Sequence, residues 1–316
     1  MTVHQRVVIS GGAGFVGSHL CERFVDNGAQ VVCLDNYTTG RLENVAHLLE
    51  AENFEAVACD VTEPVRVNGP VDLVMHLASP ASPKDYLLFP VETLQVGSTG
   101  TRNMLDLAHE KRARFVFASS SEVYGDPFVH PQREDYWGNV NPVGPRSVYD
   151  EAKRFSEALA TAYRNTKGTD TGIVRIFNTY GPRMRPDDGR AIPTFICQAL
   201  RGEPLTVTGD GTQTRSVCYV DDLVEGLLAL AMSAHPGPIN LGNPEELKVL
   251  DIAHRIAGHV GMTPVVRFID RPIDDPHVRR PDTTLARAVL GWNPVTSFEV
   301  GLKRTIEWFS KQLEFK

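Results

Sequence analysis

The 316-residue sequence is poor in cysteine, and what it has builds no framework. Cys21, Cys33, Cys59, Cys197 and Cys218 contain no C-x-x-C pair and most sit in apolar runs. An odd number without a pattern excludes a disulfide scaffold and points to reduced core thiols in a cytoplasmic protein. The ten histidines show no metal-ligand spacing, so no metal is expected. Long hydrophobic runs are missing as well. The longest, Leu223 to Met232, is too short to cross a bilayer and fits a buried helix. Only a few polar residues precede the first strand, which argues against a signal peptide. There is no basic excess either. The net charge is -7 and Lys and Arg are scattered, which argues against a nucleic-acid or anionic-membrane partner but allows cations to gather locally around an anionic ligand. Repeats and low-complexity segments are absent.

What the first half does contain is an alternation of short β-rich runs with amphipathic stretches. Strands are expected at Arg6–Ser10, Gln30–Asp35, Glu55–Cys59, Val71–Met75, Arg114–Ala118 and Gly172–Phe177. Helices are expected at Gly14–Asn27, Thr93–His109 and Tyr149–Thr166. Continuous apolar strands separated by helices imply an α/β fold with a doubly wound parallel sheet of Rossmann type. After Gly181 the texture changes to GPRMRPDDGRAIP and shorter strands, while Tyr219–Met232 and Gly237–Leu241 read as core again. The expected division is a dinucleotide-binding domain over 1–180 with 216–242 returning to it, and a smaller interleaved substrate domain over 181–215 and 243–316.

Directly after the first strand, Gly11, Gly14 and Gly17 form G-x-x-G-x-x-G at the start of a helix. Glycines there permit a sharp turn and let a pyrophosphate approach the helix amides, including those of Phe15 and Val16, where the helix dipole favours anions. Asp35 ends the second strand, where a carboxylate accepts both ribose hydroxyls and repels a 2′-phosphate. This favours NAD over NADP, although Arg41 lies close by in sequence. Asp60 and Val61, after the third strand, are placed to meet an adenine, and a plain helix cap is an equal reading of Asp60.

Tyr149 and Lys153 lie one helical turn apart on the same face. An ammonium beside a phenol favours phenolate, which could take a proton from a sugar hydroxyl, and Ser120 could hydrogen-bond the same oxygen. An isolated Y-x-x-x-K is usually a surface pair. After a dinucleotide signature and a strand-end serine, a chemical role is the better reading. Glu122 stands in the same strand-end loop, Ser119-Ser-Ser-Glu-Val-Tyr-Gly125, as a lone charge among serines.

Together these elements resemble the extended short-chain dehydrogenase/reductase family. Within it, HLASPAS, SSSEVYGDP, HPQREDYWGNVNPVGPRSVYDEAKR, RIFNTYGPRM, GEPLTVTGDGTQTR, YVDDLV, NLGNPEE and DDPHVRRPD look like the UDP-glucuronic acid decarboxylase (UDP-xylose synthase) branch. The resemblance implies NAD held by the residues above together with Asn36, Thr39, Gly40, Leu77 and Ala78. It implies C4 oxidation by Tyr149 with Ser120 and Lys153, then decarboxylation of the 4-keto acid and return of the hydride to give UDP-xylose. By motif match, Glu122 faces the sugar near C5, Arg279 lies by the carboxylate, Arg215 meets the diphosphate, and Pro80, Asn178 and Arg190 complete the UDP-sugar site. The related 4,6-dehydratases carry an Asp-Glu pair where Ser121-Glu122 stands here, and the 4-epimerases a small residue in place of Glu122.

Gly97 replaces a common Asn of the family and is expected to loosen hydrogen bonding near the cofactor; Lys84 stands where Pro is common at the substrate entrance. An enzyme that releases the 4-keto pentose with NADH therefore stays open beside the UDP-xylose former, and a catalytically dead NAD-binding regulator is the reading from another class. The family commonly dimerises through the Tyr/Lys helix and the preceding long helix in a four-helix interface.

Overall fold

The computed structural model describes residues 5–314. Its centre is a seven-stranded parallel sheet built from β1 (Arg6–Ser10), β2 (Gln30–Asp35), β3 (Phe54–Ala58), β4 (Leu73–His76), β5 (Arg114–Ser120), β6 (Thr171–Ile176) and β11 (Ile239–Leu241), in the order β11-β6-β5-β4-β1-β2-β3. Such strands are covered on both faces, which is why they read as continuous apolar runs. Val7 and Ile9 of β1 belong to the core that also holds Leu20 and Leu227, whereas Val8 belongs to the core with Met104 and Ala160. Those faces are covered by α1 (Phe15–Asp26) and α7 (Val220–Met232) on one side, and by α4 (Thr101–Lys111) and α5 (Ser147–Lys167) on the other.

The strand order reverses between β1 and β4, and the loops leaving their carboxyl ends diverge there to open a crevice. β5 and β6 continue the wall on the β4 side. β5 runs two residues further than its apolar run suggests, because Ser119 and Ser120 stay in register with Arg175 and Ile176 of β6.

The remaining strands are short: β7 (Thr179–Tyr180) with β10 (Cys218–Tyr219), β8 (Leu205–Thr208) with β13 (Val266–Ile269), and β9 (Thr214–Ser216) with β12 (Glu246–Lys248). Helices α6 (Ala191–Leu200) and α8 (Val249–Val260) pack on each other beside β8, and α9 (Thr284–Leu290) and α10 (Phe298–Glu314) close the chain. The segment before α9 is extended and clipped in place. Gln132 N and Asp282 N each donate across it at 2.8 Å, to Arg280 O and Gln132 O, and Ser216 N donates to Arg279 O at 3.1 Å. Among the described residues, no helix is long and apolar enough to cross a membrane.

The helix expected over Thr93–His109 is divided. After α2 (Pro83–Leu88), α3 (Pro90–Gln95) passes through a π-helical turn, Val96–Gly100, before α4 begins. Gly97 sits buried in that turn against α5, where an added Cβ would lie 2.6 Å from the Cβ of Ala152. Its carbonyl accepts from Ser156 Oγ at 2.6 Å, which ties the turn to α5. Periodicity alone could not reveal the turn, since one inserted residue leaves the apolar pattern nearly unchanged. Gly97→Ala is therefore expected to overpack the α5 contact and cost roughly 1–3 kcal/mol in denaturant unfolding. Adding Ala152→Gly should recover part of that loss, and a strictly additive double-mutant cycle would show that the two positions do not press on each other.

Candidate active site

The crevice is one continuous cavity of about 870 Å³. Gly11, Gly14, Phe15, Val16, Gly17, Asp35, Asn36, Thr39, Gly40, Asp60, Val61, Leu77 and Ala78 line one end. Pro80, Ser120, Glu122, Tyr149, Lys153, Asn178, Arg190, Arg215 and Arg279 line the other.

At the first end the glycines are required by close approach. Gly11 has φ +73°, and a Cβ on it would meet Ala78 N at 2.7 Å; one on Gly17 would meet Gly11 O at 2.1 Å. Helix α1 starts at Gly14 with neither a side-chain cap nor an acidic residue in its first turn, so its leading amides and positive dipole end face the cavity uncompensated. The Asp35 carboxylate accepts from Ala13 N at 3.0 Å and Tyr37 N at 2.9 Å, leaving each oxygen a further lone pair. A Cβ on Gly40 would strike that carboxylate at 2.6 Å. Asp60 accepts from Thr62 N at 2.9 Å and from Asn36 Nδ2 at 3.1 Å, so it shapes its own turn while also bordering the cavity. These features fit a dinucleotide. Arg41 does not border the cavity; it pairs with Asp187 at 3.3 Å.

At the other end β5 delivers Ser120 and helix α5 delivers Tyr149 and Lys153. Burial pushes the Tyr149 phenol up to about 12, against a hydrogen bond from Ser120 that favours the phenolate. Lys153 Nζ donates to Ala118 O at 2.9 Å and lies 5.5 Å from the Tyr149 ring centroid. Burial lowers its ammonium to about 7. The protein without ligand therefore holds a neutral phenol beside a weakly held proton on Lys153, and an added positive charge would pull Tyr149 toward ionisation. Tyr86 stacks on Tyr149 with centroids 5.3 Å apart and fixes the ring.

Glu122 is caged by arginines. Arg279 Nη1 lies 3.0 Å from Oε1, and Arg146 Nη2 donates to Oε2 at 2.7 Å. Arg279 also donates to Ser121 Oγ and to Gly125 O, both at 2.9 Å. Burial opposes ionisation of Glu122, but the two guanidinium groups outweigh it and hold the carboxyl well below the usual range. Arg215 is fixed by Asp275 at 2.9 Å, and Arg190 by Asp188 at 2.7 Å.

Ion pairs link the loop after β4 to the loop before α6 beside the cavity. Arg185 bridges both oxygens of Asp85 at 2.6 and 2.7 Å. Lys84 Nζ donates to the Asp187 carbonyl at 3.1 Å and lies 3.6 Å from its carboxylate, which also meets Arg41. Lys84 thus ties the loop after β4 to the loop before α6. Tyr86, Arg146, the Asp85–Arg185 pair and Asp275 were not singled out from sequence. Arg146 was within reach of such reading, since it stands one turn before Tyr149. The others meet the site only through long-range folding.

Residues 7–242 match the NAD dependent epimerase/dehydratase family, and the chain belongs to that family. The similarity sharpens among curated relatives. The chain is 50% identical to UDP-glucuronic acid decarboxylase 1 of Danio rerio over 98% of its own length and 74% of that protein's. It is 49% identical to UDP-glucuronic acid decarboxylase 1 of Arabidopsis thaliana, over 98% of this chain and 70% of the other. A crystal structure of a mutant UDP-glucuronic acid 4-epimerase from Bacillus cereus, with UDP-4-deoxy-4-fluoro-glucuronic acid and NAD, superposes with a TM-score of 0.86. Identity is 28%, covering 98% of this chain and 99% of the other.

The arginine cage gives Glu122 a pH signature. Its folded pKa lies below the unfolded value of roughly 4.3, so its stabilising contribution is complete above that pH and is lost as pH falls toward the folded value. Thermal unfolding between pH 5 and pH 2 should therefore be steeper in pH for the native chain than for Glu122→Gln, and identical slopes would remove Glu122 from the balance.

Proposed function

We propose that this chain is an NAD-dependent decarboxylase of UDP-glucuronate that returns UDP-xylose. The observation that carries the reading is Glu122 held between Arg279 and Arg146 in the same cavity as Ser120, Tyr149 and Lys153. The serine, tyrosine and lysine suit oxidation of a sugar alcohol. Two guanidinium groups beside one carboxylate suit a second carboxylate on the sugar.

NAD, held by the glycine turn, the α1 amides and Asp35, supplies the hydride acceptor for C4 and later the hydride donor. Tyr149 takes the C4 hydroxyl proton, Ser120 steadies that oxygen, and Lys153 favours the phenolate. The 4-ketone is then β to the carboxylate, so loss of carbon dioxide leaves an enolate delocalised into the ketone. C5 is protonated, and Tyr149 returns its proton to the C4 oxygen as the ketone is reduced. Arg215 and Asn178 are assigned to the UDP moiety, with Arg190 beside Tyr149.

Against a dehydratase, Ser121 occupies the place of the required acid and accepts from Arg279. Scattered and mostly buried cysteines suit a reducing, cytoplasmic compartment.

Incubation with UDP-glucuronate and NAD should yield carbon dioxide and UDP-xylose by NMR. Tyr149→Phe should lose more than roughly a hundredfold in kcat, in keeping with the worth of a general base, while binding NAD normally. A 4-keto product formed in step with NADH would instead establish the releasing enzyme.

We also propose a homodimer built from α5 and the preceding α3–α4 stretch of each copy, a four-helix interface. Leu88, Val91 and Phe155 are 66%, 60% and 51% exposed on or beside these packed helices, an apolar stripe that a second copy would cover. Sedimentation should give a dimer, and Phe155→Glu a monomer; a monomeric native protein rejects the interface.

A further inference from the structure

Decarboxylation consumes a proton. The sugar carboxylate leaves as carbon dioxide, its bonding electrons become the enolate, and one proton must be added at C5 to restore a neutral C–H. The proton that Tyr149 removes is committed to the C4 oxygen. Glu122, the acid group assigned beside C5, is held ionised by Arg279 and Arg146 and enters each turnover without a proton of its own. The C5 proton therefore has to be brought in.

A second cavity of about 530 Å³ lies behind this wall. Arg146, Pro272 and Asp275 line both cavities, so they form the partition between them. At the rim of the second cavity, His277 and Asp126 have side chains 73% and 47% exposed, which opens it to solvent. Asp150 borders this cavity and not the first. It lies one helical turn beyond Arg146, whose carbonyl accepts from Asp150 N at 3.2 Å. Its side chain is buried, and Oδ1 has no hydrogen-bond partner. An ionised carboxylate with one buried oxygen unpartnered is costly there, and a carboxylic acid is the form that burial favours.

Building on the decarboxylase reading, we propose that Asp150 is the proton reservoir for C5. It releases its proton across the Arg146 partition to Glu122 as Glu122 protonates C5, and it is reloaded from solvent through the second cavity. A substrate carboxylate drawing on Arg279 weakens the hold on Glu122 and lets the proton pass. Asp150 acts through Glu122, so it is a positioning and supply residue rather than one that meets the sugar.

The electrostatic surroundings agree with this. Burial and the Glu122 charge raise the Asp150 carboxyl to about 8, against Arg146 and Arg279, with Glu151 of the same helix adding to the rise. Asp126, Arg271, Asp274, Asp275 and His277 are the other charged or titratable groups on the cavity wall. Below its pKa the reservoir is full; as pH rises through it, the reservoir empties and turnover should fall.

The test uses the full chain with NAD and UDP-glucuronate, in H2O and D2O. For the native enzyme, kcat should decline as pH rises through about 8. Asp150→Asn, which keeps the shape of the neutral acid, should lower kcat by about 10–100-fold with KM nearly unchanged, remove that alkaline limb and enlarge the solvent deuterium effect. In a single turnover it should release carbon dioxide ahead of UDP-xylose. A variant with the native pH profile and isotope effect overturns the reservoir, as does a native kcat that is flat from pH 7 to 9.5, whether or not the variant folds. No carbon dioxide from the native enzyme overturns the decarboxylase reading as well, which separates the two failures.

Discussion

The buried ion pair between Glu122 and Arg279 joins two parts of the chain far apart in sequence. Glu122 follows β5 of the central sheet, while Arg279 arrives on an extended segment clipped between β9 and the loop at Gln132. Burying such a pair is costly, because both charges lose water, and it is tolerated only where the geometry is good and the remaining donors are satisfied. Here Ser121 Oγ and Gly125 O accept from the Arg279 Nη atoms, leaving only its buried Nε without a partner, and Arg146 takes the second oxygen of Glu122. The result is a floor for the cavity with one carboxylate whose ionised form is favoured by its neighbours.

That floor sets the conditions for the groups above it. Tyr149 and Lys153 are both shifted by burial toward their neutral forms, in opposite directions on the pH scale. Neither could be tuned this way on an exposed helix, where the same spacing would give only a screened surface contact. The sheet accounts for the burial. Its strand order reverses beside β1 and β4, the β5 end lies next to that crevice, and α5 crosses it with its Tyr/Lys face inward.

Much of this was legible in the sequence because it is local. Gly11, Gly14 and Gly17 mark a turn by their own spacing, Asp35 marks the end of β2, and four residues separate Tyr149 from Lys153. The parallel sheet followed from unbroken apolar runs. The π-turn at Gly97 was hidden, because an inserted residue changes the backbone more than the pattern. Tyr86, Asp275 and the Asp85–Arg185 pair were hidden for another reason: their contacts join residues 60 to 100 positions apart, and no local signal records that. The positions of Glu122 and Arg279 came from likeness to relatives, and only the fold supplies the physical reason they belong together.

The distribution of charge completes the picture. A chain of net charge -7 nevertheless lines its cavity with Arg146, Arg183, Arg185, Arg190, Arg215 and Arg279. Each of the six is already held by a carboxylate: Glu122, Glu22, Asp85, Asp188 or Asp275. Pairing keeps the cavity from acting as a general anion trap, while the guanidinium planes remain oriented for a ligand. A diphosphate or sugar carboxylate can then bind by sharing these donors, with little side-chain ordering left to do. An acidic surface around such a cavity repels polyanions at long range, and the arginines act only at contact distance, where shape decides which anion is accepted.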